Sequence, residues 1–231
     1  MMFTDEELQA ILLTLRVAAV ATLGALGPGI ALGWLLARCR FPGRALLDGL
    51  VHLPLVLPPV VTGYLLLAAF GREGWLGAWL ARNLGLEFSF RWTGAALAAA
   101  GRGLPLMVRA IRLAIESVDR RYEHAAGTLG APPWVVFFTV TLPLAAPGIV
   151  AGSVLCFAKA LGEFGATITF VSAIPGETQT LASALYALTQ TPGGDAAAWR
   201  LTLVAIAVSI LALLASEWLA RRVSARVRGV S

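Results

Sequence analysis

Residues Tyr122–Pro143 read YEHAAGTLGAPPWVVFFTVTLP. This stretch lies between two long apolar segments, and its pattern indicates the fold class. Its first half is charged and rich in small residues, and it ends at Ala131-Pro132-Pro133. A glycine near the end of a helix with prolines after it is typical of helix termination. An apolar stretch then leads to Leu142-Pro143. The pattern predicts a short helix over Arg121–Gly130, held between two apolar segments.

The rest of the chain is apolar enough to lie in a lipid bilayer. Of its 231 residues, 58% are hydrophobic and 13% are charged, whereas about 25% of the residues in a soluble domain are charged. A membrane span takes about 20 residues, so the length allows five or six spans and no sizeable soluble domain. We expect an all-α, polytopic membrane protein with a single transmembrane domain over residues 1–231. Any ATPase must then be another chain.

Five apolar stretches are long enough to cross a bilayer: Leu8–Ala37, Leu46–Phe70, Trp92–Ile115, Leu142–Leu161 and Trp199–Ala220. Gly27-Pro28-Gly29 predicts a kink or a tilt in the first of them. Thr178–Thr189 is apolar but too short for a hydrocarbon core about 30 Å thick. We expect a surface or re-entrant helix there, and a sixth span is the alternative.

Positive charge is concentrated in the connections after spans one and three and in the C-terminal segment, and at the span ends that lead into them. Eleven of the 18 basic residues lie there: Arg38, Arg40 and Arg44, then Arg109, Arg112, Arg120 and Arg121, and finally Arg221, Arg222, Arg226 and Arg228. The positive-inside rule places such connections in the cytoplasm. The N-terminus is therefore predicted outside and the C-terminus inside, with residues 121–143 in a cytoplasmic connection. The net charge of +5 is explained by topology and does not indicate nucleic-acid binding.

Several function classes lack their sequence signatures. Cys39 and Cys156 are far apart, which disfavours a disulfide or a metal site. The sequence contains no GxxxxGK[ST] loop, no HExxH motif and only two histidines, so we expect no enzyme activity, cofactor or metal. The acidic start MMFTDEELQ is unlike a signal peptide. A secondary transporter is the alternative kind of transport protein. Such proteins often show internal repeats, and none is evident in this sequence.

The spacing within Tyr122–Pro143 resembles the EAA loop of ABC importer permeases. That loop reads Glu-Ala-Ala, three residues, Gly, nine residues, Ile-x-Leu-Pro, and here it reads His124-Ala125-Ala126, then Gly130, then Val140-Thr141-Leu142-Pro143. His124 replaces the first Glu, with Glu123 one place earlier, and Val140 replaces Ile. In that family the loop forms a coupling helix in a cleft of the ATP-binding subunit.

The resemblance implies a type I ABC importer permease fold, in which residues 121–143 form the cytoplasmic coupling loop. It also implies that contacts with the ATPase come from the residues of the motif and its surroundings: Glu123, His124, Ala125, Ala126, Gly127, Gly130, Leu142 and Pro143.

Four stretches resemble the permease subunits of molybdate ABC importers: Leu53–Leu67, Pro105–Ala131, Ala160–Phe170 and Ser172–Leu201. Permeases for sulfate and tungstate are the near neighbours, so these anions are the alternative substrates. The resemblance implies a homodimer in the inner (plasma) membrane. It also implies two copies of a cytoplasmic ATPase, which binds the ATP, and an external molybdate-binding protein.

Proline and glycine interrupt the second predicted span. Pro58, Pro59 and Gly63 predict broken backbone, which is tolerated inside a membrane where protein packs around it or where it lines a cavity. The Thr62 hydroxyl is either a pathway group for an oxyanion or bonded back to its own helix. Pathway lining and a packing kink both remain open for this segment.

Three charged residues within or just after the predicted spans are candidate site residues. Arg102, between Gly101 and Gly103, falls near the middle of the third span, where arginine is costly and usually faces an interior or a cavity. It is a candidate for contact with an anion or for an inward ion pair. Lys159 and Glu163 are four residues apart and share a helix face. They either neutralise each other or form part of a gate.

Overall fold

Helices make up all the regular structure of residues 4–228, the part of the chain that the computed structural model describes. In chain order the elements are α1 Asp5–Arg38, α2 Arg44–Val56, α3 Pro59–Phe70, α4 Trp75–Leu84, α5 Trp92–Ser117, α6 Arg120–Thr128, α7 Pro133–Val136, a π-helical turn Phe137–Thr141, α8 Leu142–Leu161, α9 Gly165–Val171, α10 Leu181–Thr189 and α11 Asp195–Arg228. The all-α prediction is confirmed. Residues 1–3 and 229–231, with the side chains of Arg226 and Arg228, lie outside the described part.

Four of the predicted spans correspond to apolar helices. Among the described residues, Asp5–Arg38, Pro133–Leu161 and Asp195–Leu219 are each long and apolar enough to cross a bilayer. Helices α2 and α3 qualify only as a pair, bent by 114° at the break between them. α1 runs uninterrupted through Pro28, where a kink or a tilt was predicted.

The predicted third span is α5, and it differs from the other spans in being the central helix of the bundle. α1 and α8 pack against it along its length. Ala98, Ala99, Met107 and Ile111 have no exposed surface. Because neighbouring helices enclose much of α5, Arg102 and the small residues of this helix need not face lipid. Among the described helices, α5 falls outside the set that is apolar enough to cross alone. The number of spans, five or six, stays a prediction.

A close approach joins α5 to α8. A Cβ atom on Gly103 would lie 2.5 Å from Cys156 Sγ, so only glycine permits this contact. The glycine after Arg102 therefore brings the middle of α5 against the last two turns of α8. This contact places Arg102 on α5 within reach of Glu163, which follows the end of α8.

Helices α10 and α4 lie in segments outside the five predicted spans. α10 falls within the predicted helix Thr178–Thr189 and packs on α1 and α11, where Leu181 N donates a 2.7 Å hydrogen bond to Thr14 Oγ1. α4 was not predicted, because the segment between the second and third spans was treated as a connection. Its exposed Trp75 and Trp79 lie one turn apart, and this spacing was the signal for a helix with one apolar face.

Candidate functional site

The predicted short helix is α6, which begins one residue before Arg121 and ends two residues before Gly130. Its first turn is capped by Asp119, whose Oδ1 accepts a 2.9 Å hydrogen bond from Arg121 N. Gly130 follows with a φ of +85°, a left-handed conformation that glycine adopts without steric cost. A Cβ atom on Gly130 would meet nothing within 4 Å, so only the backbone conformation requires glycine here.

α6 projects from the bundle and none of its residues is buried. The exposed members of the predicted coupling set are His124, Ala125, Gly127, Gly130 and Pro143, and the half-buried ones are Glu123, Ala126 and Leu142. Large apolar side chains lie exposed nearby: Leu129 is 88% exposed, and Trp134 and Tyr122 are also exposed. Small residues next to exposed aromatic and aliphatic ones form a surface suited to another protein.

Glu123 fastens α6 to the rest of the chain. Its Oε1 lies 3.0 Å from Arg38 Nη2, at the end of α1, and accepts a 2.8 Å hydrogen bond from Thr141 Oγ1, where α8 begins. Arg38 Nη2 also donates to the carbonyl of Val118 before α6. The Glu123 carboxylate thus binds its own chain in this structure. Its expected contact with a partner stays a prediction.

Sequence reasoning missed Arg38 and Thr141 as partners of Glu123. The two residues are 85 and 18 positions away from it in the chain, so no helical spacing relates them. Thr141 is the variable position within the Ile-x-Leu-Pro part of the motif, and its hydroxyl was the available signal. A threonine and a nearby carboxylate in one loop are a reasonable hydrogen-bonded pair.

The predicted break in the second span is present. α2 ends at Val56 and α3 begins at Pro59, after Pro58. Arg102 reaches this break from α5: its Nη1 donates to the carbonyl of Pro54 and, at 3.0 Å, to that of Leu57. Arg102 is only 6% exposed. The guanidinium therefore binds backbone carbonyls where the helix is interrupted.

A carboxylate completes this buried cluster. Glu163, which is 3% exposed, lies in the interruption between α8 and α9. Its Oε2 is 3.4 Å from Arg102 Nε and 3.3 Å from Lys159 Nζ, and its Oε1 accepts a 3.1 Å hydrogen bond from Ala166 N. Arg102 therefore forms the inward ion pair that was one of its two interpretations, and Lys159 pairs with Glu163. The three side chains carry one excess positive charge.

Thr62 and Gly63 lie where α3 packs against α9. A Cβ atom on Gly63 would lie 2.6 Å from the carbonyl oxygen of Ala166, so a larger residue would force the two helices apart. Thr62 is 8% exposed, and its Oγ1 has no hydrogen-bond partner among the described residues, so it is not bonded back to its own helix. Pro59 meets the start of α9 at Gly165. The candidate pathway residues are thus gathered around the two helix breaks.

The sequence of the chain matches one protein family over most of its length. Residues 29–228 fit the family described as binding-protein-dependent transport system inner membrane component. The chain belongs to this family. As a member of the family, it is an inner-membrane component of a transporter.

Individual relatives of this chain are also permease proteins of transport systems. The chain is 61% identical over 221 residues to the molybdenum transport system permease protein ModB of Escherichia coli (strain K12), covering 96% of both chains. It is 38% identical over 201 residues to the sulfate transport system permease protein CysT of the same organism, covering 87% of this chain and 72% of the other.

A solved structure shows the same fold. A chain of a bacterial ABC transporter that imports the acidic polysaccharide alginate superposes with a TM-score of 0.75 at 18% identity, over 95% of this chain and 80% of that one. The predicted ABC importer permease fold is confirmed.

Proposed function

We propose that this chain is the transmembrane subunit of an ATP-driven importer and forms the translocation pathway for molybdate, with tungstate as a second substrate. The observation that carries the proposal is the attachment of the projecting helix α6, with its EAA-like spacing, to both α1 and α8 through Glu123. The choice of molybdate over sulfate rests on the 61% identity with a molybdenum permease, against 38% with a sulfate permease.

The proposed assembly contains two copies of this chain, two copies of a cytoplasmic ATPase and an external molybdate-binding protein. The orientation has the N-terminus outside, which puts α6 in the cytoplasm. ATP is bound by the partner subunit, and this chain, a single transmembrane domain, has no ATP site or cofactor of its own. The coupling surface is formed by the exposed residues around α6: His124, Ala125, Gly127, Gly130 and Pro143.

Energy enters this chain as movement of α6. ATP binding closes the two ATPase subunits on each other and displaces the helix seated in each of them. Because Glu123 binds both Arg38 and Thr141, a displacement of α6 moves the end of α1 and the start of α8 together. The small residues of α6 let a partner surface approach its backbone closely, and Gly130, two residues after the helix, lets the chain turn away from it.

The pathway runs past the two helix breaks, with Pro58, Pro59, Thr62 and Gly63 on α3 and its N-terminal boundary. Moving a dianion across a hydrocarbon core is costly, and a nearby excess of positive charge lowers that cost. The cluster of Arg102, Lys159 and Glu163 supplies one such charge per chain. The unbonded Thr62 hydroxyl can donate to an oxyanion oxygen.

Uptake in proteoliposomes tests the proposal. The chain is reconstituted with its ATPase and its external binding protein, and uptake of molybdate, tungstate and sulfate is compared with and without ATP. We expect ATP-dependent uptake of molybdate and tungstate and little uptake of sulfate. A matched preparation carries an ATPase that binds but does not hydrolyse ATP, and it is expected to show no accumulation. Sulfate as the best substrate, or accumulation without the ATPase, would overturn the proposal.

A further inference from the structure

We infer that Arg102 is a positioning residue for transport: it clamps the break between α2 and α3 to the break between α8 and α9, so that movement of α8 reaches the broken second span. The inference rests on the proposed function, because it concerns how the ATP-driven movement of α6 reaches the pathway.

The first half of the clamp replaces missing backbone donors. Pro58 has no N–H group, so the carbonyl of Pro54 lacks its helical partner four residues on. The Val61 N–H, which would serve Leu57 in a continuous helix, donates to the carbonyl of Pro58 instead. Arg102 Nη1 donates to both orphaned carbonyls. Unsatisfied carbonyls are costly at membrane depth, so the bent shape of this span depends on Arg102.

The second half of the clamp is Glu163. Its one carboxylate binds Lys159 in the last turn of α8, Ala166 N at the start of α9, and Arg102 Nε on α5. The guanidinium of Arg102 therefore has Glu163 on one side and the carbonyls of the α2–α3 break on the other. A planar guanidinium with several fixed donors is suited to such a bridge.

One long helical segment connects this clamp to α6. Residues Pro133–Leu161 form a helical run of 29 residues, which corresponds to about 43 Å at 1.5 Å per residue. Thr141 in this run holds Glu123 of α6, and Lys159 near its far end holds Glu163. Gly103 keeps α5 in close contact with the run at Cys156, so Arg102 stays within reach of Glu163.

The ratio of oxyanion uptake to ATP hydrolysis tests the clamp, with both rates measured on the same amount of purified complex. The complete complex is reconstituted with the wild-type chain, Arg102→Met or Glu163→Gln. Arg109→Met serves as the matched control, because Arg109 is an exposed cation on the same helix. We expect both clamp variants to lower uptake per ATP about tenfold or more, which is within the usual range of coupling between sites. Arg109→Met is expected to keep the wild-type ratio.

A purely structural role gives a different result. If a clamp variant keeps the wild-type ratio of uptake to ATP hydrolysis, whether both rates fall together or neither changes, the inference is overturned. Glu163→Gln keeps the size of the side chain and an acceptor for Ala166 N, so it decides the question if Arg102→Met does not assemble. A wild-type complex that moves no oxyanion with ATP contradicts the proposed function itself. Wild-type transport with unchanged variant ratios contradicts only the clamp.

Discussion

Thr141 Oγ1 donates a 2.8 Å hydrogen bond to Glu123 Oε1 and thereby joins α6 to the π-helical turn that leads into α8. The same oxygen lies 3.0 Å from Arg38 Nη2, at the end of α1. α6 has nine residues, none of them buried, and isolated helices shorter than about 12 residues are marginal in water. The position of α6 therefore depends on a few polar contacts with the membrane helices, and these contacts can be tested one at a time.

Substituting Glu123→Gln is expected to loosen α6 and reduce ATP-driven uptake. The neutral amide weakens the interaction with Arg38, and hydrogen bonds to charged groups are worth about 1.5–3 kcal/mol. Uptake in proteoliposomes and the melting temperature of the purified complex measure the effect. Glu217→Gln is the matched control, since Glu217 forms an exposed ion pair with Arg221 and such pairs contribute little. Equal effects of the two substitutions would contradict the anchoring role.

Gly130→Val is expected to impair uptake more than Gly130→Asn. The φ of +85° costs an ordinary L-residue about 1–2 kcal/mol, whereas asparagine tolerates this region better. Both side chains enter open space, so the comparison isolates backbone strain within this chain. Uptake and the amount of ATPase that co-purifies are measured for each variant. Similar losses for Val and Asn would show that the partner excludes any side chain here, whatever the backbone.

Gly63→Ala is expected to destabilise the contact between α3 and α9. The added Cβ atom would lie 2.6 Å from the Ala166 carbonyl, and overpacking of this kind costs about 1–3 kcal/mol. Gly49→Ala in α2 is the control, because its Cβ atom meets nothing within 4 Å and alanine favours a helix. Melting temperature in detergent is the measurement. A Gly63→Ala protein as stable as the Gly49→Ala protein would mean that α3 and α9 separate readily.

Glu7→Gln is expected to lower the stability of the chain, while Glu6→Gln one residue earlier is expected to leave it unchanged. Glu7 is 7% exposed, and its Oε1 lies 2.8 Å from Arg200 Nη2 on α11. Its Oε2 also accepts a hydrogen bond from Thr4 N in a capping box. Glu6 is exposed. Thermal unfolding of the purified chain compares the two, and an equal fall in both would contradict a specific link between α1 and α11.

Several elements could be predicted because their signals are local. Hydropathy over about 20 residues located α1, α8 and α11, and the glycine and proline spacing located α6 to within two residues. The spacing of Lys159 and Glu163 predicted their pairing, although Glu163 lies two residues beyond the end of α8 and not on the helix face itself. α4 was missed because its apolar face is only two turns long and lies in a segment treated as a connection.

Composition and motif spacing were enough to establish a helical membrane protein, the places of its long helices and its resemblance to importer permeases, since each of these depends on residues close together in the chain. The contacts of Arg102 were decided by tertiary structure alone. Glu163 and Pro54 are 61 and 48 residues away from it, and only the packing of α5 against α8 and beside the broken span brings them together. The position of Arg102 within an apolar segment predicts that it needs partners, because an unpaired charge is costly there. Which residues become its partners depends on which helices are neighbours.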